Sequence, residues 1–150
     1  MRKVIILLLL ALPIAGCVAS KQPAYYGNFI PGAINPQQIA EDAVNHLVTL
    51  YPPAKTRLKL QHTTQDAFGI SLVRLLREKG YAVVEYAAEE QPQQEIDGDP
   101  IPLPVSYVLD QAGQSNIYRL TISIGYQTLT RPYLGTDGSF MPIGYWSLKE

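Results

Sequence analysis

The sequence predicts an α+β domain in which two helices pack on a mixed or antiparallel sheet, followed by an antiparallel β-meander. Two separate stretches repeat apolar residues with helical spacing, and strand-like alternation lies between them. The last third of the chain carries strand patterns only. With 150 residues and 47% hydrophobic residues, the chain has enough apolar material for one core. A signal peptide and a flexible tether are expected ahead of this domain.

The N-terminus has the pattern of a bacterial lipoprotein signal. A positively charged start and an apolar run over residues 4–14 lead into Gly16 and Cys17, the only cysteine of the chain. The apolar run is shorter than the roughly 20 residues that a membrane-spanning helix needs. We therefore expect residues 1–16 to be a signal peptide that is cleaved between Gly16 and Cys17. The new N-terminal cysteine would then carry an N-acyl group and an S-diacylglycerol.

Lipidation would determine the location of the mature protein. In the lipoprotein class that this signal resembles, an aspartate after the cysteine is associated with inner-membrane retention, and here that residue is Val18. We therefore expect a lipid-anchored protein of the outer membrane that faces the periplasm. Loss of Arg2 and Lys3 leaves 10 basic and 13 acidic residues without a basic cluster, so direct nucleic-acid binding is not expected.

Residues 17–35 are predicted to form a lipidated flexible tether, because prolines and glycines interrupt any helical or strand period. Tyr25, Tyr26, Phe29 and Ile30 stand out in this segment. Aromatic side chains bury large areas at low entropic cost and recur as interface anchors. These four residues are therefore predicted to bind a partner. The alternative is that they pack back onto their own domain.

The domain is predicted over residues 36–150 and begins with a helix. Asn35 is the predicted N-cap, Pro36 suits the first helical position, and Gln38 completes the spacing of a capping box. A pair of prolines ends the helix. Its apolar stripe consists of Ile39, Ala43, Val44, Leu47, Val48 and Tyr51.

The following residues predict the order strand, helix, strand. Alternating leucines over residues 57–61 indicate a half-buried strand, and Thr63 or Thr64 is the predicted cap of a second helix. Gly80 stands where a left-handed residue would end that helix. A strand rich in Val and Tyr is predicted over residues 81–86. The apolar face of the second helix consists of Phe68, Leu72, Leu75 and Leu76.

The chain then changes character. Residues 87–104 are acidic and proline-rich and are expected to form a mobile loop. Beyond this loop, alternating apolar residues predict the meander, with reversals at Gly113, Gly125 and Asp137-Gly138.

The residues give no indication of an active site. His46 and His62 stand apart from any nucleophile elbow or metal-ligand spacing, and lipid would occupy the thiol of Cys17. The acidic run at 97–99 lacks the glutamate that a calcium loop needs. We therefore expect neither an enzyme nor a cofactor, apart from the acyl groups.

Most of the ten tyrosines are expected in the core or on a sheet face. Four aromatic residues near predicted strand ends are candidates for a contact surface, namely Tyr126, Tyr133, Tyr145 and Trp146. The alternative to a structural protein is a generic periplasmic lipoprotein with a small ligand-binding domain. Its groove would be lined by Tyr107, Tyr118 and Trp146.

Residues 42–86 and 118–146 together resemble the TrbH family of conjugal transfer lipoproteins. The most specific parts are LYPPAKTR at 50–57 and YVLDQAG at 107–113. The resemblance implies an outer-membrane lipoprotein of a conjugative type IV secretion apparatus, associated with the core complex beside a periplasmic partner and a channel-forming subunit. A ring-forming oligomer within that complex is a further expectation. The family has no catalytic motif to transfer, only the lipidated Cys17. The strand order and helices up to residue 86 also resemble the small N0 domain of secretins.

Overall fold

Two helices pack on a mixed eight-stranded sheet, which confirms the predicted α+β class. The computed structural model describes residues 25–32, 34–87 and 101–150. Gly16, Cys17 and most of the acidic loop predicted at 87–104 therefore lie outside the described residues. Among the helices that are described, none is long and apolar enough to cross a membrane.

The elements follow the predicted order, with an additional strand at the start and with the last predicted strand divided into two. The helices are α1 (Gln37–Leu50) and α2 (Ala67–Glu78), and a 3-10 turn (Pro53–Lys55) follows α1. The strands are β1 (Gly27–Asn28), β2 (Arg57–Leu60), β3 (Ala82–Val84), β4 (Leu103–Gln111), β5 (Ile117–Ile124), β6 (Gln127–Thr136), β7 (Ser139–Pro142) and β8 (Ser147–Lys149).

An antiparallel meander of β4, β5 and β6 forms the centre of the sheet. The outer edge of β4 pairs in parallel with β2 near one end and with β1 near the other. The outer edge of β6 likewise pairs with β8 near its start and with β7 near its end, both antiparallel. Each outer edge of the meander is therefore covered by two short strands instead of one long one. β3 extends the sheet beyond β2.

The chain bulges between β7 and β8. Tyr133 lies opposite Pro142 and Thr130 opposite Ser147, so two residues of β6 face four residues of the partner edge. Extra residues of this kind change the direction of side chains, which then no longer alternate between the two faces of the sheet. Trp146, the last residue of the bulge, packs its ring parallel to His46 of α1, with ring centroids 4.9 Å apart.

Helix α1 begins differently from the prediction. Pro36, and not the predicted Asn35, is the N-cap, and the side-chain oxygen of Asn35 accepts a hydrogen bond from the Gln37 N–H at 3.0 Å. Gln38, however, does not complete a capping box, because its side-chain oxygen accepts the backbone N–H of Phe140 at 2.6 Å. Gln38 therefore ties α1 to β7. The helix ends at Leu50 and has Tyr51 as its C-cap, directly before the proline pair that was predicted to end it.

Helix α2 is capped by Asp66, so the prediction of Thr63 or Thr64 is wrong. One carboxylate oxygen of Asp66 accepts the Gly69 N–H at 2.9 Å. The other accepts the hydroxyl of Tyr107 at 2.5 Å. Asp66 can satisfy a helix donor and a buried phenol together, which a threonine hydroxyl does less well.

Strands β3 and β4 differ in extent from the prediction. β3 is limited to Ala82–Val84, because Tyr81 turns into the core and donates its hydroxyl hydrogen bond to the Tyr51 carbonyl at 2.5 Å. Burial raises the pKa of Tyr81 to about 12. β4 starts at Leu103, inside the predicted loop. Gly80 has the expected left-handed conformation, with a φ of 90°.

One hydrophobic core lies between the helices and the sheet. It contains the alternate residues of the central strands and most of the predicted stripes of both helices, whereas Val48, Tyr51 and Leu75 pack against it only partly buried. Its largest fully buried side chains are Tyr107, Tyr133, Phe68, Ile39, Leu47, Leu58, Leu60, Leu72, Leu76, Leu109, Leu120 and Ile122. Each buried aliphatic or aromatic side chain stabilises the fold by about 1.5–3 kcal/mol.

A mostly buried ion pair connects α1 to β6, the last strand of the central meander. The carboxylate of Asp42 accepts two hydrogen bonds from Arg131, at 2.8 and 2.9 Å, and one from the hydroxyl of Tyr133 at 2.7 Å. Burial and the hydrogen bond to Asp42 raise the pKa of Tyr133. Arg131 also donates to the carbonyl of Gly144 and lies over the ring of Trp146, so the same guanidinium holds the bulge.

We predict that Gly69→Ala destabilises the domain by about 2–3 kcal/mol, in the range of overpacked cores. The added methyl group would meet the hydroxyl of Tyr107 and lie 2.8 Å from the backbone Cα of Thr64. Urea unfolding would measure the loss. Gly32→Ala is the control, because nothing lies within 4 Å of its added methyl group. Equal stability of the two variants would contradict this packing.

We also predict that Asp42→Ala lowers the free energy of unfolding by about 2–3 kcal/mol, because it leaves the Arg131 guanidinium largely buried without its carboxylate. The matched control is Glu78→Ala, which removes the exposed pair between Arg74 and Glu78. Such surface pairs contribute at most about 1 kcal/mol. A larger loss for the control, measured by the same denaturation, would refute the assignment.

Candidate protein-interaction surface

The segment predicted as a tether lies on the domain from Gly27 onward. Gly27 and Asn28 pair with Val108 and Leu109 of β4, and the Phe29 N–H donates to the Leu109 carbonyl at 2.8 Å. The Asn28 side chain then accepts the N–H two residues later and turns the chain toward α1. This backbone pairing fixes the segment at the edge of the sheet.

The four residues predicted to bind a partner fall into two groups. The side chain of Ile30 is only 7% exposed and belongs to the core, so it holds the segment in place and is not available for a contact. Tyr25, Tyr26 and Phe29 are 74%, 41% and 39% exposed. The rings of Tyr25 and Phe29 stack on each other at 4.1 Å. Packing onto the domain and aromatic exposure therefore occur together in this segment.

His62 fills the gap between β2 and β1 along the edge of β4. Its Nε2 accepts the backbone N–H of Tyr107 at 3.2 Å, and its Nδ1 lies 2.9 Å from the Thr63 carbonyl. The geometry assigns the hydrogen to Nδ1, because an acceptor at Nε2 requires a neutral ring. Tyr26 stacks on this imidazole with centroids 5.3 Å apart. His62 thus accepts a backbone hydrogen bond that a neighbouring strand would otherwise accept, and its ring packs against Tyr26.

We call the surface formed by Tyr25, Tyr26, Phe29 and His62 the aromatic face. Residues 25–32 contain no charged side chain. The face therefore offers aromatic rings and phenol hydroxyls to a partner, a combination typical of protein interfaces.

A shallow groove begins one residue beyond His62. It has a volume of about 320 Å³ and is lined by Thr63, Thr64, Gln65, Ile70, Glu85 and Tyr86. Its volume is at the low end of the roughly 300–1,000 Å³ typical of small-molecule sites. The sequence did not predict this groove, because Ile70 and Tyr86 are distant in the chain. They come together only when β3 pairs with β2 and lies beside α2.

The aromatic residues predicted as a second contact surface are divided by the fold. Tyr126 and Tyr145 are 99% and 94% exposed, on the turn between β5 and β6 and on the bulge. Tyr133 is buried, and Trp146 is half-buried against α1. Two of the four residues are thus available for contacts.

The residues suggested for a ligand groove do not come together. Tyr107 contacts His62 and Phe68, Tyr118 packs edge-on against Phe140, and Trp146 stacks on α1. The three rings serve different parts of the core.

The two histidines also have separate structural roles. His46 packs on Trp146, where burial lowers its pKa against the opposing effect of Asp42. His62 belongs to the aromatic face. Across residues 25–32, 34–87 and 101–150, no group of three or more His, Cys, Asp or Glu side chains is arranged to hold a metal ion.

Comparison with known families agrees with the resemblance seen in the sequence. A family model described as conjugal transfer protein TrbH matches residues 24–150, which include every described strand and helix. No curated protein and no solved structure matches the chain, so the likeness to N0 domains stays a prediction. Since the family model covers most of the chain, the protein belongs to the TrbH family of conjugal transfer proteins.

Proposed function

We propose that this protein is an outer-membrane lipoprotein that anchors and assembles the core complex of a conjugative type IV secretion apparatus through protein contacts. Membership of the TrbH family implies a role in the conjugation apparatus. The observation that carries the finer proposal is the aromatic face, whose exposed rings are held on the domain a few residues after Cys17.

The proposed anchor is Cys17, cleaved from Gly16 and modified with N-acyl and S-diacylglycerol groups. Each buried methylene contributes about 0.8 kcal/mol, so several acyl chains hold a protein stably at a membrane. Val18 favours the outer membrane over retention in the inner one. The folded domain would then face the periplasm. Confinement to this layer raises the effective concentration for weak contacts and favours a ring-forming oligomer.

The proposed partner contact uses Tyr25, Tyr26 and Phe29. Ordering a flexible segment on binding would reduce affinity, but these side chains belong to a segment that is already paired with β4. Ile30 supports the contact from inside the core. The face has no charged side chain, and the chain has no basic cluster, so the proposal includes protein partners and no direct nucleic acid.

We predict that Cys17→Ser moves the protein from the membrane fraction to the soluble periplasmic fraction. Loss of confinement should reduce conjugation by about a hundredfold, the lower end of the gain expected from local concentration. Fractionation and mating assays in donor cells measure both effects. Ser20→Ala, which leaves the cysteine intact, is the control. If the Cys17→Ser variant stays fully in the membrane fraction, the proposal of a lipid anchor at Cys17 is wrong.

We further predict that replacing Tyr25, Tyr26 and Phe29 together by Ser weakens co-purification with the core complex by about a hundredfold or more, because interface aromatic residues often contribute about 1–2 kcal/mol each. The free energy of unfolding should change by no more than about 1 kcal/mol, since these rings lie outside the core. The matched control replaces Ile101 and Met141, which are 88% and 60% exposed and belong to neither of the candidate contact surfaces. If the triple variant co-purifies with the core complex as well as the unsubstituted protein does, these three residues do not bind a partner and the segment is only a spacer.

A further inference from the structure

The groove next to the aromatic face lies beyond the carboxyl ends of two parallel strands. β2 and β3 pair in parallel, and α2 connects them. The lining comes from the loop after β2, the residues after β3 and the first turns of α2, namely Thr63, Thr64, Gln65, Glu85, Tyr86 and Ile70. In open α/β sheets, ligands bind in the crevice outside the carboxyl ends of the strands. The groove therefore has the position of a ligand site.

The groove presents hydrogen-bonding groups that the fold does not use. In the described part of the chain, the two threonine hydroxyls of the groove, the Gln65 amide and the Tyr86 hydroxyl take part in no hydrogen bond. Beside these polar groups, Ile70 and Tyr86 are 57% and 45% exposed. The groove thus offers donors, acceptors and apolar surface within one small area. A matching ligand must be polar at its rim and apolar on its face.

The charges at the groove favour a neutral ligand. Among the described lining residues, Glu85 alone carries a charge, and its carboxylate is paired with Arg77 at 2.6 Å. One turn beyond Ile70, Arg74 is paired with Glu78 at 2.7 Å. The lining therefore offers no cation to a phosphate or carboxylate group, and its one anion already has a partner.

A sugar ring has the required combination of properties. Its hydroxyl and acetamido groups donate and accept hydrogen bonds, whereas the C–H bonds on its faces pack on aromatic rings. A volume of about 320 Å³ is at the low end of small-molecule sites and suits a short stretch of a polymer. Peptides that add to a sheet bind through backbone groups of an edge strand. The unused groups of this groove belong to side chains, which favours a saccharide over a peptide.

We propose that the groove binds a neutral, N-acetylated oligosaccharide, and that the glycan of the cell wall is its source. The Tyr86 ring would pack on a sugar face, and Ile70 on the methyl group of an acetamido substituent. Gln65 and the threonine hydroxyls would bind the polar rim of the sugar. The sugar chemistry rests on the groove alone, whereas the cell wall as the source rests on the proposed periplasmic location. The domain would then connect its membrane anchor to the wall.

Sedimentation with purified cell-wall sacculi tests the binding. The full-length protein, solubilised in detergent, should sediment with the sacculi. The double variant Gln65→Ala and Tyr86→Ala should bind at least about tenfold more weakly, which corresponds to about 1.4 kcal/mol. Tyr126→Ala removes an exposed tyrosine elsewhere and is the control. If the unsubstituted protein does not sediment, or the double variant sediments equally well, the inference is wrong.

Three competitors identify the chemical class and the source of the ligand. Chitotetraose, a tetramer of N-acetylglucosamine, should release the protein from sacculi more effectively than purified lipopolysaccharide or the stem peptide of the wall. Stronger release by the stem peptide would show a peptide site and overturn the inference. Stronger release by lipopolysaccharide would overturn the cell wall as the source.

The same variants separate this inference from the proposed function. The double variant at Gln65 and Tyr86 should keep its membrane fraction and its co-purification with the core complex. The triple serine variant of the aromatic face should keep its binding to sacculi. If the unsubstituted protein binds chitotetraose but is neither membrane-bound nor associated with the core complex, only the proposed function fails. If it is membrane-bound and associated but binds no sugar, only this inference fails.

Discussion

The backbone groups along the outer edge of β4 are the constraint on which the rest of the structure depends. Unpaired buried N–H and C=O groups are costly, so this edge must be covered along its length. β2 covers its start, His62 accepts the Tyr107 N–H in the middle, and the Phe29 N–H pairs with the Leu109 carbonyl near the end. Because β1 completes this edge, the aromatic face has a fixed position on the domain.

Tyr107 connects that edge to the helix layer. Its hydroxyl donates to Asp66, the cap of α2, and its ring packs edge-on against both His62 and Phe68. Burial, together with the hydrogen bond to Asp66, raises the pKa of Tyr107, so the phenol stays neutral and remains a donor. Gly69 provides the space for this hydroxyl. The side chain of Tyr107 therefore contacts the cap of α2, the core residue Phe68 and the His62 ring on which Tyr26 stacks.

Local signals in the sequence were sufficient for the helices, the left-handed end at Gly80 and the reversal at Asp137, because each depends on nearby residues. Distant partners decided what the sequence did not reveal. Gln38 bonds to a residue about a hundred positions later, and Asp66 is favoured as a cap by its second bond to β4. The two residues of β1 are too few for any periodicity. The exposed aromatic residues were recognised by type, but only the fold separates them from Ile30.

The edges of the sheet bear on how such a domain can assemble. The proposed lipid anchor would confine the domain to a membrane layer and raise its local concentration, and open strand edges would then pair without specificity. Among the described residues, β3 and β8 have three residues each, Pro142 cannot donate from β7, and the bulge interrupts the edge beside β6. Strand addition is therefore disfavoured at these edges. Under the proposed anchoring, exposed side chains such as those of the aromatic face would provide contacts that do not depend on strand addition.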